Sequence, residues 1–335
     1  MIFQVFKNNN QILKFLKLRF KFLTNLINKV LKKFNLLIIW RSGKAIGDQL
    51  LMAGFAKALN KENLTKIIIL TNYPELLSLS PWIHKTISIN KVPLWKLFYY
   101  LLKICEGERI IQYNFPYNNY GFNSHLEAYQ SGFYEKINNP PIWLSHVVDR
   151  FDKKLFVNFS GGLEKTKNEY PKLLIKKLRA KYNNYKIGII NPVGKGTYTT
   201  VKMYGFENYQ KILDNTKLKI KWIQVGKKDD PKLKNLTLDL RGNTLSFLVD
   251  IIALSDLVLS DEGLLNHIAA SFPYVNSYVT YSEFSPLNYY SYKNTFTIGE
   301  PEEISKDINY WMETSTEKKT PPNPIKLAKE ILNNE

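Results

Sequence analysis

A repeated alternation between short apolar runs and amphipathic segments constrains the fold more than any other feature of this sequence. Runs such as LLIIW (36–40), TKIIILT (65–71) and KIGIINP (186–192) are typical of strands buried on both faces of a parallel sheet. Helical segments lie between such runs, for example at 49–59 and 244–255. The alternation predicts an α/β fold whose parallel sheets are covered by helices on both faces.

The alternation occurs in two series, separated by a basic helical stretch around YPKLLIKKLRAKY. A chain of 335 residues is long enough for about two domains of ordinary size. We therefore expect two Rossmann-like domains that face a central cleft, where ligands bind at the carboxyl ends of the strands. The predicted units are a basic helix, an N-terminal domain, a C-terminal domain, and a proline-containing loop with a last helix: 1–35, 36–170, 171–314 and 315–335.

The first 35 residues contain eight Lys or Arg and no Asp or Glu. From residue 12 to 34, apolar residues recur three or four positions apart, which predicts a basic amphipathic helix. Its apolar runs are too short to span a membrane, and the pattern of a cleavable signal is missing. Residues 1–34 then either lie on an anionic membrane surface or pack on the body of the protein. A nucleic-acid arm is not expected, because such arms rarely carry so many Leu and Phe.

Composition excludes some classes of site and leaves the anionic partner open. The net charge of +18 suits nucleotide phosphates, nucleic acid or an acidic membrane, and it also fits a solvated lysine-rich surface. The single cysteine, Cys105, excludes an internal disulfide and is expected in the core. The four histidines lack zinc-type spacing, and Asp229 and Asp230 lie in a lysine-rich turn where we expect them to be solvated. Neither a metal nor a cofactor is predicted.

The first candidate site is the loop RSGKAIGD (41–48), which follows a predicted strand and opens a predicted helix. Glycines at such a place let the backbone turn tightly and approach a ligand. We assign Arg41, Gly43, Lys44 and Gly47 to the cleft on this basis. The carboxylate of Asp48 is either a general base for a sugar hydroxyl or a cap of the helix.

Two further candidate sites lie in the second series. In PVGKGTYTT, backbone N–H groups suit a phosphate, with a hydroxyl from Thr197 and a charge from the following Lys202. This loop has neither the P-loop nor the GxGxxG spacing.

The other segment, SDEGLLNH (260–267), again joins a predicted strand to a helix. Asp261 or Glu262 suits ribose hydroxyls, and the N–H of Gly263 suits a phosphate. His267 either reaches the same ligand or is a packed core histidine.

In this order and spacing, the three segments resemble the lipopolysaccharide heptosyltransferases of glycosyltransferase family 9, which have the GT-B fold. The segments that carry the resemblance are RSGKAIGDQLLMAGFAKAL, KMYGFENYQKIL, with Tyr204 in place of a Trp, and DLRGNTLSFLVDIIALSDLVLSDEGLLNHIAASF. The resemblance covers about residues 36–292. The turn DEGLLNH departs from the family's usual acidic-Gly turn and leaves the nucleotide base and the sugar open.

The resemblance implies an inverting, metal-independent transfer of a sugar from a nucleotide-sugar, often ADP-heptose, to a glycan or lipid-linked acceptor. It implies that Asp48 is the base and that Thr197 and Lys202 bind the donor diphosphate. It implies that Glu262, or Asp261 in its place, holds the nucleotide together with Gly263 and His267. The expected location is the cytoplasmic face of the cell membrane. The alternatives are a catalytically silent Rossmann-like protein that binds an anionic surface or nucleic acid, and a transferase with another hexose donor.

Overall fold

The chain forms two parallel β-sheets with helices packed against them. A computed structural model describes residues 16–41, 45–63, 65–92, 95–112, 161–193, 203–261, 263–280, 292, 295–298 and 323–335. Every strand pair in the two sheets is parallel. The α/β prediction is therefore confirmed.

The first sheet has four strands in the order β3-β2-β1-β4. Its strands are β1 (Leu36–Trp40), β2 (Lys66–Thr71), β3 (Lys85–Ser88) and β4 (Ile110–Gln112). The helices of this half are α1 (Lys21–Lys33), α2 (Ile46–Asn63), α3 (Pro74–Leu77) and α4 (Trp95–Ile104). A short 3₁₀ turn (Ile89–Lys91) follows β3.

The second sheet has six strands in the order β10-β9-β8-β5-β6-β7. Its strands are β5 (Lys186–Asn191), β6 (Ile220–Gln224), β7 (Leu238–Asp239), β8 (Leu257–Asp261), β9 (Asn276–Thr280) and β10 (Thr295–Ile298). The helices are α5 (Glu169–Lys181), α6 (Phe206–Thr216), α7 (Leu245–Leu254), α8 (Leu264–Ala269) and α9 (Pro324–Asn334). Helix α5 begins two residues before the predicted boundary at 170/171 and packs on α7.

Local sequence explains where several helices begin. The hydroxyl of Thr244 accepts a hydrogen bond from the N–H of Phe247 at 3.3 Å, so Thr244 caps α7 as its position predicts. Helix α2 begins at Ile46, three residues earlier than the apolar periodicity indicates. Asp48 is consequently the third residue of the helix and not its N-cap.

One hydrophobic core runs through both halves of the molecule. Its buried members include Ile39 and Ala53 from the first half and Ile189, Val249 and Ile268 from the second half. Helices α2 and α8 pack against each other at this junction. Burial of apolar area across the junction stabilises the two halves as one body.

The basic helix α1 packs on the first sheet through one face. Ile27 and Leu31 lie against a core cluster that contains Trp40 and Cys105. The amide of Asn28 donates to the backbone carbonyl of Cys105 at 3.3 Å. Its amide oxygen accepts from the N–H of Arg109 at 2.6 Å. Cys105 is buried, as expected.

Within the part of the chain that the structure describes, no helix has the length and apolar character that crossing a membrane requires.

Candidate functional site

The first candidate loop and the last candidate segment meet where α2 and α8 begin. A Cβ atom added at Gly47, in the first turn of α2, would lie 3.1 Å from Cδ2 and 3.4 Å from Nε2 of His267. It would also lie 4.0 Å from the backbone N of Leu264, the first residue of α8. A glycine at this position therefore lets the backbone of one half approach the histidine ring of the other.

His267 is nearly enclosed at this junction. Only 6% of the residue is exposed, and its Nδ1 lies 2.7 Å from the hydroxyl of Tyr292. The two rings meet edge to face, with centroids 5.8 Å apart. The histidine is thus packed on one edge by Tyr292 and on the other by Gly47, which fits the interpretation of a packed core histidine, while its contact with a ligand stays a prediction.

The turn between β8 and α8 is held by a hydrogen bond to the side chain of Asn266, in the first turn of α8. The N–H of Gly263 donates to the side-chain oxygen of the buried Asn266 at 2.9 Å. The sequence assigned this N–H to a phosphate, whereas here it engages Asn266. Gly263 has φ +156°, a conformation that a residue with a Cβ rarely adopts. This requirement explains the glycine independently of any ligand.

Asp261 ends β8 and points into the second half. It is 5% exposed, and its Oδ1 accepts hydrogen bonds from the Tyr209 hydroxyl at 2.6 Å and the Thr280 hydroxyl at 2.9 Å. The N–H of Tyr204 donates to the same oxygen at 3.1 Å. A carboxylate that accepts several hydrogen bonds inside a protein fixes the groups that donate them. Asp261 therefore ties the segment before α6 to the ends of β8 and β9.

The Tyr209 hydroxyl is a protonated hydrogen-bond donor to Asp261. Burial and the neighbouring Asp261 carboxylate raise the pKa of Tyr209 well above its usual range. Burial also raises the pKa of Tyr204, whose ring meets that of Tyr209 edge to face. Sequence analysis singled out Tyr204 through the resemblance and missed Tyr209, because no local signal marks a tyrosine on α6 as the partner of an aspartate on β8.

A connecting segment, residues 161–166, crosses between the halves and contacts α2, α7 and the end of α8. A Cβ at Gly162 would lie 2.6 Å from the backbone oxygen of Ala53 in α2. The Thr166 N–H and hydroxyl each donate to the buried carboxylate of Asp250 in α7 at 2.5 Å. The N–H of Leu163 donates to Ser271 after α8 at 3.2 Å. This segment was also missed, although its two adjacent glycines are a visible signal.

The remaining predicted residues divide into two groups. Arg41 is 6% exposed at the end of β1, and for Asp48 only its place in α2 is described. The predicted positions that lie outside the described residues are Gly43, Lys44, Thr197, Lys202 and Glu262.

Carboxylates elsewhere do not form a cation site among the described residues, where no group of three or more potential metal ligands occurs. The expectation that Asp230 is solvated is wrong. Asp230 is only 6% exposed, and its Oδ2 accepts a hydrogen bond from the N–H of Lys227 at 2.7 Å. The turn folds over this carboxylate because backbone N–H groups need acceptors.

The two parallel sheets and their shared junction, together with the matches to solved structures, define the class of the fold as that of the GT-B glycosyltransferases. Among solved structures, a family 9 glycosyltransferase from Veillonella parvula matches with a TM-score of 0.58 and 15% identity, over 90% of this chain and 98% of that chain.

Two heptosyltransferases from E. coli match as well. ADP-heptose LPS heptosyltransferase II gives a TM-score of 0.52 at 14% identity, over 80% of this chain and 92% of its own. A heptosyltransferase with ADP-2-deoxy-2-fluoro heptose matches with a TM-score of 0.51 and 10% identity, over 89% of this chain and 99% of that chain. The sequence matches no profile of a known protein family and no curated protein. At these identities, the matches establish a common fold.

Proposed function

We propose that the chain is a glycosyltransferase that moves a sugar from a nucleotide-sugar donor to a cell-envelope glycan or lipopolysaccharide-core acceptor. The proposed transfer inverts the anomeric carbon and uses no metal. The observation that carries the proposal is the contact between Gly47 and His267, since Gly47 immediately precedes Asp48. One E. coli protein of this fold is bound to a fluorinated ADP-heptose, which makes ADP-heptose the first donor to test.

In the proposed reaction, the acceptor hydroxyl attacks the anomeric carbon of the donor sugar. Asp48 takes the proton of that hydroxyl as the new C–O bond forms. The bond from the anomeric carbon to the diphosphate oxygen breaks on the opposite face, and the nucleoside diphosphate leaves with the electron pair. Lys202 offsets the negative charge that grows on the leaving group, and Thr197 donates a hydrogen bond to it.

The second half would supply the donor site. Glu262 is the acidic residue assigned to the nucleotide, because the Oδ1 of Asp261 already accepts from three groups of the chain. Asp261 acts as a positioning residue in this proposal. It fixes the backbone of Tyr204, and Lys202 lies two residues earlier in the sequence.

Transfer assays with a panel of ADP-, UDP- and GDP-sugars test the proposal. We expect Asp48→Asn to bind ADP as the wild type does and to transfer sugar about 100 to 10,000 times more slowly, the usual effect of losing a general base. Asp229→Asn is the matched control, because Asp229 is an exposed carboxylate that the proposed reaction does not use. Chelation of divalent cations should leave the rate unchanged.

Two outcomes would overturn the proposal. Normal transfer by Asp48→Asn would remove the catalytic assignment. If no nucleotide raises the melting temperature and duplex nucleic acid does, the chain is a silent Rossmann-like binding protein instead. Transfer from a UDP-hexose in place of ADP-heptose would keep the chemistry and change the donor.

We further propose that α1 holds the enzyme on an anionic membrane surface at the cytoplasmic face. The inner face of α1 packs on the protein, while Phe22 is 81% exposed and Phe34 is 61% exposed on other faces. Exposed Lys29 and Lys33 flank these rings. Exposed aromatic rings beside lysines suit the boundary between headgroups and acyl chains of anionic lipids.

Sedimentation with phosphatidylglycerol vesicles tests this contact, with phosphatidylcholine vesicles for comparison. The double variant Phe22→Ser, Leu26→Ser should lose most of its binding to the anionic vesicles, and added salt should weaken wild-type binding. Leu218→Ser is the matched control, since Leu218 is 79% exposed after α6 in the second half. Equal sedimentation of the double variant and the wild type would leave α1 as a purely packed helix.

A further inference from the structure

Gln49 is a buried polar residue in the first turn of α2, one position after Asp48. Only 1% of Gln49 is exposed, and among the described side chains of residues 45–49 it is the one that is fully buried. The sequence patterns did not single it out. A buried amide costs free energy unless its polar atoms are hydrogen-bonded, so the partners of Gln49 indicate what this residue does.

The side-chain oxygen of Gln49 binds the end of β2. It accepts a hydrogen bond from the backbone N–H of Asn72 at 3.0 Å and another from the hydroxyl of Thr71. Because a backbone N–H can only donate, the Gln49 atom that faces β2 is the oxygen, whatever the amide nitrogen contacts. An amide oxygen can only accept, so the Thr71 hydroxyl is the donor of the second bond. The oxygen of Thr71 accepts in turn from the N–H of Tyr73 at 3.0 Å.

Both ends of this link are held by backbone pairing. Strand β2 lies between β1 and β3, and its pairing extends to Thr71, which is fully buried. The backbone N–H of Gln49 donates to the carbonyl of Ala45 at 3.2 Å and closes the first turn of α2. The peptide between Asp48 and Gln49 is planar and keeps their Cα atoms about 3.8 Å apart. The end of β2 therefore restrains the backbone of Asp48 through Gln49.

We infer that Gln49 is a positioning residue that fixes the backbone of Asp48 relative to the first sheet. The inference rests on the proposed function, because that function makes Asp48 the general base. Gln49 acts through the helical turn that carries Asp48 and need not touch either substrate. A general base must lie within hydrogen-bond reach of the proton that it takes, and a misplacement of about 1 Å can slow a reaction about 100-fold.

A purely structural role for Gln49 predicts a different result. In that case Gln49 only supplies an acceptor for Thr71 and Asn72, so breaking the link lowers the melting temperature and leaves kcat per folded molecule unchanged. A positioning role lowers kcat and leaves the KM for the donor and the affinity for ADP unchanged. The reason is that a displaced base weakens the transition state and not the bound ground state.

Three substitutions in the full chain separate these roles. Thr71→Val removes the hydroxyl with little change of shape, Thr71→Ser keeps it, and Gln49→Met removes the amide oxygen with a side chain of similar length. We expect kcat to fall about tenfold in Thr71→Val and about 10 to 100-fold in Gln49→Met, and to stay close to the wild type in Thr71→Ser. In the Gln49→Met background, Thr71→Val should have no further effect, because both changes break the same link.

Thr216→Val is the matched control. Thr216 is fully buried, as Thr71 is, and its hydroxyl accepts a hydrogen bond from the Nε1 of Trp222 at 2.8 Å. It ends α6 just before β6 begins, so it lies at the amino end of that strand. Ligands of parallel sheets bind at the carboxyl ends. This variant should lose stability and keep its kcat.

Hydrogen exchange followed by mass spectrometry gives a readout that needs no sugar. Amides of residues 45–52, at the start of α2, should exchange faster in Thr71→Val and Gln49→Met than in the wild type, because the first turn opens more often. Exchange of the same residues should be unchanged in Thr216→Val. Melting curves of all variants verify that each is folded at the temperature of the assays.

The outcomes separate this inference from the proposed function. If the wild type transfers no sugar, or Asp48→Asn transfers it at the normal rate, the proposed function fails and the inference fails with it. If the wild type transfers sugar, Asp48→Asn does not, and Thr71→Val and Gln49→Met keep the normal kcat, the inference is overturned and the proposed function survives. An equal loss of kcat in Thr71→Ser or in Thr216→Val, or unchanged exchange at 45–52, would also overturn the inference.

Discussion

Replacing Tyr209 with Phe should destabilise the protein through a single buried oxygen atom. Tyr209 is fully buried, and its hydroxyl lies 2.6 Å from the Asp261 Oδ1 and 2.7 Å from the Thr280 hydroxyl. The phenyl ring can keep its packing against Tyr204, so the change removes hydrogen bonds and leaves little cavity.

The expected loss follows from the groups that remain. A hydrogen bond to a charged partner contributes about 1.5–3 kcal/mol. Asp261 keeps the Thr280 hydroxyl and the Tyr204 N–H as donors, so the loss should be less than the sum over both broken contacts. We expect the free energy of unfolding to fall by about 2–3 kcal/mol, which corresponds to a drop of roughly 4–10 °C in melting temperature.

Urea unfolding followed by tryptophan fluorescence measures this loss, because Trp222 lies in the same core cluster as Tyr209. Tyr274→Phe should cost less, since the hydroxyl of Tyr274 meets a neutral carbonyl. The raised pKa of Tyr209 adds a pH test. Its stabilisation is complete below the unfolded value of about 10 and decreases above it, so the two proteins should converge in alkali. A loss below about 0.5 kcal/mol near pH 7 would refute the reasoning.

Three other experiments, two on variants and one on the unchanged protein, have defined outcomes. Gly162→Ala places a Cβ 2.6 Å from the Ala53 backbone oxygen, and the overpacking should lower the free energy of unfolding by about 1–3 kcal/mol. An unchanged urea midpoint would contradict this geometry. Burial raises the pKa of the Cys105 thiol, so Ellman's reagent should label it slowly in the native state and readily in urea. Rapid native labelling would show that the thiol is accessible. Hydrogen bonds from Arg241 lower the pKa of Asp239, so their stabilisation is present above pH about 4 and decreases as acid protonates the carboxylate. Arg241→Met should therefore flatten the dependence of the urea midpoint on pH below that value, and an equally steep dependence would argue against the pair.

Local patterns predicted the regular elements well. The strand expected at 36–40 is β1, and the helix expected after Thr244 is α7, capped as its position implied. Buried parallel strands leave a continuous apolar run, and helix caps depend on residues within one turn. Such signals are contained in a few neighbouring positions.

Pairings between distant positions escaped prediction. Tyr209 and Asp261 are 52 residues apart, and His267 and Tyr292 are 25 apart. Only the folded sheets bring these pairs together, so no short window contains both partners. The error at Asp230 has the same origin, because a lysine-rich turn looks solvated until its backbone N–H groups close around the carboxylate.

The core that runs through both sheets has a consequence for exchanging parts between proteins of this fold. A chimera that receives a foreign second half would set unfamiliar side chains against Ala53 on α2, and the connecting segment at Gly162 has no space to adjust. The unit that can be exchanged therefore includes α2 and residues 161–166 with the second half. On the proposed function, donor preference and acceptor preference would then be inherited together, because the helix that carries Asp48 moves with the half to which we assign the nucleotide.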